Sequence, residues 1–173
     1  MTDRRKLYVY WNVTQGLLVN SANAAIPNSL YPRMYLGEYP CVFLSVGTGA
    51  KGTAFTPYTG WASDTIFTAT VDTDYNHTDS PLIRCAWATD FNQSGDWDGT
   101  APDNASVVAG RLSIRVNANT AALDAELGLN ASVAATFELI GYKTLTIRGN
   151  PTSVPISVIQ FPVFCLNTQE YTP

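Results

Sequence analysis

The run Arg111-Leu112-Ser113-Ile114-Arg115-Val116-Asn117 switches between polar and apolar at every step. A strand turns successive side chains to opposite faces, so Leu112, Ile114 and Val116 share one side. Arg111, Ser113, Arg115 and Asn117 share the other. One-sided burial of this kind belongs to an antiparallel sheet with one wet face. Residues 65–71 repeat the pattern, with Phe67, Ala69 and Val71 on one face. Residues 7–13, Leu-Tyr-Val-Tyr-Trp-Asn-Val, have the aromatic and β-branched content of a strand, and Thr14-Gln15-Gly16 reads as the turn after it. Strands are also expected within 33–46, 82–88, 132–142, 144–148 and 154–166, eight or nine in all. Gly141-Tyr142-Lys143 is the predicted hairpin turn between two of them. Pro155 and Pro162 place the last strand at an edge or give it a bulge. One helix is legible: Asn119 or Thr120 caps it, Ala121 to Leu127 form it, and Gly128 stops it. The expected fold is all-β, an antiparallel β-sandwich or jelly-roll-like domain with one short helix.

Two segments differ in texture. Residues 1–32 combine the first strand with a small, polar stretch broken by Pro27 and Pro32, which reads as an arm or linker lying on a neighbouring subunit or as a surface loop on its own domain. Residues 33–173 hold the sandwich domain. At 173 residues the chain suits one core. Charged residues are 14% of it, against about 25% in a typical soluble domain, so part of the surface is expected to be buried against a partner or covered with Ser, Thr and Asn, which points towards an oligomer.

A net charge of −4, with ten basic residues spread along the chain, argues against nucleic acid as a partner. The local basic run Arg4-Arg5-Lys6 reads as a solvated tail or a contact to an acidic neighbour. No apolar run approaches the roughly 20 residues of a membrane span. Trp11 and Asn12 interrupt the only N-terminal stretch that resembles a signal-peptide core, so synthesis in a cytoplasm is expected. The three cysteines, Cys41, Cys85 and Cys165, each sit inside an apolar run at wide spacing. They are expected as buried free thiols rather than disulfides or metal ligands. Asn-x-Ser/Thr triplets at Asn12, Asn76, Asn92, Asn104 and Asn130 are read as chance, not as glycosylation sites.

Few residues carry candidate chemistry. His77 is the only histidine, which excludes multi-histidine zinc sites and leaves no nearby nucleophile to activate. Asp72, Asp74 and Asn76 recur at alternate positions, as calcium ligands do at the start of a binding loop. The loop's sixth position is His77 instead of Gly and its twelfth is Ile83 instead of Glu, so this calcium candidate is weak. Asp96, Asp98 and Asp103 form a second, weaker acidic group. Glu138, between Phe137 and Leu139, reads as a solvent-facing strand residue. The Gly-rich segment 47–53 departs from phosphate-loop spacing and reads as a flexible loop. Tyr58, Trp61, Tyr75, Trp87, Phe91 and Trp97 lie in or beside loops, where they either stack on a ligand or fold inward. No catalytic residue and no cofactor is expected. Tyr8, Tyr10 and Trp11 on the first strand, with Arg111 and Arg115, are the candidate interface residues.

The run 110–123, Gly-Arg-Leu-Ser-Ile-Arg-Val-Asn-Ala-Asn-Thr-Ala-Ala-Leu, followed by Phe137-Glu138-Leu139-Ile140 and Gln160-Phe161-Pro162-Val163, resembles prophage-encoded virion proteins of tail and baseplate regions. The strand–short helix–strand order is also similar to the N-terminal sandwich of upper baseplate proteins in siphophages. The resemblance covers residues 33–167 and rests on pattern, not on an active-site motif. It implies a non-enzymatic scaffold or adaptor in a bacteriophage virion, made in the bacterial cytoplasm and present in several copies. Tail, baseplate, tail-fibre, head-fibre and head-decoration positions stay open. The alternatives from other classes are a carbohydrate-binding module for host-surface glycans and a hydrolase with unrecognised carboxylates. A stable trimer or larger ring favours the scaffold, and a monomer favours the carbohydrate module.

Overall fold

Alternation of buried and exposed positions fixes most strands of the fold. A computed structural model of the chain describes residues 5–73, 80–91, 107–128 and 130–167. Among these lie ten strands: β1 Lys6–Asn12, β2 Leu17–Val19, β3 Arg33–Tyr35, β4 Cys41–Thr48, β5 Thr56–Pro57, β6 Ile66–Asp72, β7 Ile83–Ala86, β8 Arg111–Arg115, β9 Ser132–Ile147 and β10 Asn150–Leu166. Two short helices, α1 Trp87–Asp90 and α2 Ala121–Leu127, complete the regular structure with a 3₁₀ turn at Asn28–Leu30. The fold is therefore all-β with short helices.

The strands form two five-stranded sheets. The first runs β2-β1-β4, with β8 and β5 both on the far edge of β4, at Cys41–Ser45 and Gly47–Thr48 respectively. The second runs β3-β10-β9-β6-β7. Both sheets are mixed, not wholly antiparallel, because β1 pairs parallel to β4 and β3 parallel to β10. Period-two alternation reports only which face a residue occupies. It is blind to strand direction, which is why sequence did not distinguish the two arrangements.

The inner faces share one core. Val9, Val42, Leu44, Leu112 and Ile114 come from the first sheet, and Phe67, Ala69, Phe137, Leu139, Phe161 and Cys165 from the second. Phe137 and Phe161, directly paired across β9 and β10, stack with centroids 4.8 Å apart. Each large side chain buried in this way contributes roughly 1.5–3 kcal/mol. The inward positions expected for Phe67, Ala69, Val71, Leu112, Ile114 and Val116 are all buried. Helix α2 closes one end through Leu123 and Leu127, both fully buried. Thr120 caps it: its Oγ1 accepts from the Leu123 amide at 3.1 Å and donates to the Leu82 carbonyl at 2.7 Å.

Residues 5–32, expected as a strand and arm, are built into this body. β1 pairs with β4 along its whole length, Val9 and Leu18 join the core, and the chain returns so that the Ile26 amide donates to the Leu18 carbonyl. A buried amide network fastens this end. Asn12 Nδ2 donates to Asn23 Oδ1 at 2.8 Å and to the Gly49 carbonyl at 2.9 Å, while Asn12 Oδ1 accepts from the Thr14 and Gln15 amides. Asn23 Nδ2 in turn donates to the Thr53 carbonyl. The Gly-rich segment 47–53 is thereby tied down, contrary to the reading of a flexible loop.

The β9–β10 hairpin also differs from expectation. β9 runs unbroken through Gly141, and the turn falls at Arg148-Gly149, with φ of 52° and 82°. Two positive φ values in a two-residue hairpin loop are the signature of a type I′ turn. Gly141 serves packing instead of turning: a Cβ there would lie 3.0 Å from Phe67 Cε1. The ladder shifts register between Pro155 and Ser157, which is the bulge expected near Pro155.

Candidate functional site

The expected interface residues fall mostly on one surface. On the outer face of the first sheet, strand register sets Tyr8 beside Phe43 and Ser113, Tyr10 beside Ser45 and Arg111, and Lys6 beside Cys41 and Arg115. Tyr8 is 67% exposed and stacks on Phe43, with centroids 5.3 Å apart and planes 24° from parallel. Tyr10 meets the edge of Phe55 at 5.3 Å. Arg111 is exposed, whereas Arg115 is half-buried and donates to the Thr89 carbonyl. Trp11 does not belong to this face. It turns towards the core and lies 6.4 Å from Phe161, because it is odd in the alternation that puts Tyr8 and Tyr10 outside. Ser113, expected in water, is buried against Cys41, with Sγ and Oγ 3.3 Å apart.

The face borders an open sheet edge. β2 pairs only with Tyr10–Asn12, so among the described residues no strand lies beside Leu7–Val9 on that side. The chain leaves this edge because Asn20 makes a tight turn, its Oδ1 accepting from the Ala22 and Ala24 amides. A groove of about 360 Å³ results, lined by Tyr8, Tyr10, Leu18, Ile26, Leu30 and Pro32. An unpaired strand edge beside apolar side chains is the geometry that accepts an added strand. Sequence missed the groove, since nothing in residues 20–32 distinguishes a free arm from one folded back on β2.

The loop aromatics divide differently. Trp61 and Phe91 are buried, and Trp61, Trp87 and Phe91 all pack on Phe67 at 4.7–6.3 Å. Tyr58 meets Trp61 edge-on. Trp61 and Phe91 fold inward, and the half-buried Tyr58 and Trp87 pack against the same core. Tyr75 and Trp97 lie outside the described residues.

Of the calcium candidates, Asp72 ends β6 and is 7% exposed, while Asp74 and Asn76 lie outside the described residues, as does His77. The second acidic group at Asp96, Asp98 and Asp103 also lies outside them. Among the described residues no three His, Cys, Asp or Glu side chains come together as a metal site would require. Glu138 is not in solvent as expected: it points to the outer face but is 9% exposed and accepts a hydrogen bond from Gln160. Arg5, from the N-terminal basic run, pairs with Glu38 at 2.7 Å and lies over the Tyr35 ring, so it contacts an acidic neighbour.

The cysteines are buried and free, as expected. Burial, with the Asp90 charge adding to it, raises the Cys85 thiol to about 12, and burial raises Cys165 to about 11. Thiols held protonated at neutral pH are poor nucleophiles. Asn12 is fully buried and hydrogen-bonded through both side-chain atoms, which leaves no room for a glycan. No helix among the described residues is long and apolar enough to cross a membrane. Comparison with protein-family models, curated proteins and solved structures finds no match to the chain.

Proposed function

We propose that the chain is a non-enzymatic virion structural protein of a bacteriophage, a homo-oligomeric β-sandwich that serves as scaffold or adaptor in a tail, fibre, baseplate or head-decoration layer. The observation that carries this reading is the edge of β1 at Leu7–Val9, which no described strand covers, beside an exposed aromatic face. Tyr8 and Leu30 are each about two-thirds exposed there, flanking a groove along that edge. Monomeric proteins ordinarily blunt such an edge with charge, proline or a covering segment. The low charged fraction and the resemblance of residues 110–123, 137–140 and 160–163 to tail and baseplate proteins point the same way.

A carbohydrate-binding module is the second reading, favoured by one feature: the Tyr8 ring is exposed and flat against Phe43, as a sugar-stacking ring would be. Light scattering of the purified chain separates the two. Assembly of two or more copies that falls apart on Tyr8→Asp supports the scaffold. A monomer that binds immobilised glycans and loses them on Tyr8→Ala supports the module and overturns the first reading.

A further inference from the structure

β9 and β10 are longer than the sheet that holds them. β6 covers β9 only as far as Tyr142, and β3 covers only Phe164–Leu166 of β10. Beyond Tyr142, residues 143–147 pair with 150–154 and, among the described residues, with no other strand. The hairpin therefore leaves the sandwich as a two-stranded ribbon tipped by the Arg148-Gly149 turn. A two-stranded ribbon without a covering layer is marginal in water. This one nevertheless keeps apolar side chains exposed along its length: Leu145 at 41%, Ile147 at 46%, and, near its base, Ile156 at 45% and Val158 at 57%.

Its two edges are unlike. β10 carries Pro151, Pro155 and Pro162. An imide ring has no N–H to give, so these positions spoil an added ladder on that side. The outer edge of β9 at 143–147 has no proline and, among the described residues, no neighbouring strand. The charge is also lopsided. Between Glu138 and Glu170 the only charged residues are Lys143 and Arg148, so this segment is +2 in a chain whose net charge is −4, leaving −6 on the rest.

We propose that this ribbon is an exchange arm that docks on the body of a second copy of the chain. Charge selects the occupant. Lys143 already faces Asp64 of its own copy at 4.0 Å, so Arg148 at the tip is the charge left for a partner: two arm tips side by side would bring like charges together, whereas a tip on another copy's body meets a net negative surface. Area selects reciprocity. One ribbon face of five residue pairs spans roughly 17 by 10 Å, or about 170 Å², far below the roughly 800 Å² a side of a stable interface. Two arms exchanged in a closed pair, each covered on both faces, bring about 700 Å² a side into contact, counting arm given and arm received. This deepens the assembly reading above, on which it rests, by naming the element that joins the copies.

The test uses the full chain. Sedimentation equilibrium between 1 and 100 µM should give a two-copy species, or multiples of it, for the wild type. The double variant Leu145→Asp/Ile147→Asp should be monomeric with an unchanged melting temperature, since both residues are already in water in the single copy. Arg148→Glu should weaken association at least tenfold. Hydrogen exchange needs no variant: amides 144–147 of the wild type should exchange at least tenfold more slowly in the associated state than on dilution. An oligomer indifferent to the double variant, with these amides unprotected, overturns the arm and leaves the assembly reading standing. A wild type that stays monomeric at 100 µM overturns both.

Discussion

Replacing Asn12 with Ala removes a fully buried side chain that makes four hydrogen bonds, two given and two received. The Gly49 carbonyl keeps a second donor, Gln15 Nε2 at 3.1 Å, so its loss is partly covered. Asn23 Oδ1 and the Thr14 and Gln15 amides lose the partner that satisfies them. Each buried polar group left unsatisfied costs about 1–3 kcal/mol. The Thr14 and Gln15 amides stand in a surface turn that water reaches, so most of the loss comes from Asn23 and from the cavity. The expected destabilisation is roughly 3–5 kcal/mol, or about 6–20 °C in melting temperature for a domain of this size. Circular dichroism melts and urea titration read it directly. Thr14→Ala is the control, because it destroys the same Asn-x-Thr triplet while leaving the Thr14 amide in place, and it should melt within about 0.5 kcal/mol of wild type. A loss below about 1 kcal/mol for Asn12→Ala would mean that water enters and replaces the amide, and that the network does not fasten the β1 end.

Other changes test other parts of the structure. Ile114→Ala deletes methyl groups at a fully buried position of β8 and should cost about 2–5 kcal/mol by urea titration, with no change in association state below the melt. The thiols should label slowly with a disulfide reagent at pH 8 and quickly in denaturant. Because the folded thiols of Cys85 and Cys165 are raised from 9.0 to about 12 and about 11, their contribution is fully present below pH 9 and is lost as pH rises from there towards 12. A melting temperature unchanged between pH 9 and 11 would contradict their burial. Deleting residues 1–30 removes β1 and β2 together with Val9 and Leu18, so it should abolish the cooperative melt instead of releasing a folded sandwich.

The parts of the fold that sequence revealed are those where a side chain reports its own position. Leu112, Ile114 and Val116 alternate with polar neighbours and are buried, and Thr120 and Gly128 bound a helix that packs through Leu123 and Leu127. Strand direction and strand end are different in kind. Nothing in residues 7–12 says whether β4 lies parallel or antiparallel to them, because that depends on the route of residues 13–40 through space. The hairpin turn was misplaced for a physical reason too. Gly141 looks like a turn residue but is needed where Phe67 crosses β9, while the true turn puts Arg148 at positive φ, where Asn or Gly is cheaper by about 1 kcal/mol.

The site was legible to the same extent. Arg111 and Arg115 lie on the outer side of β8 as their alternation with Leu112 and Ile114 predicts, and the register of β1, β4 and β8 sets Tyr8 and Tyr10 on the same face. Trp11, whose parity is opposite to that of Tyr8 and Tyr10, packs towards Phe161 instead. Glu138 shows the limit of parity itself: its outward direction was right, but its burial depends on the partner offered by Gln160 on β10. Neither the groove beside β1 nor the projecting ribbon is written in any local pattern, since both arise from strands of unequal length. β9 and β10 outrun β6 and β3, just as β1 outruns β2. Among the described residues no strand lies beside Leu7–Val9 on the β2 side or beside 143–147 on the outer side of β9. A strand end that outruns its neighbour keeps its outer N–H and C=O groups off the ladder, and no side-chain pattern along the strand reports it.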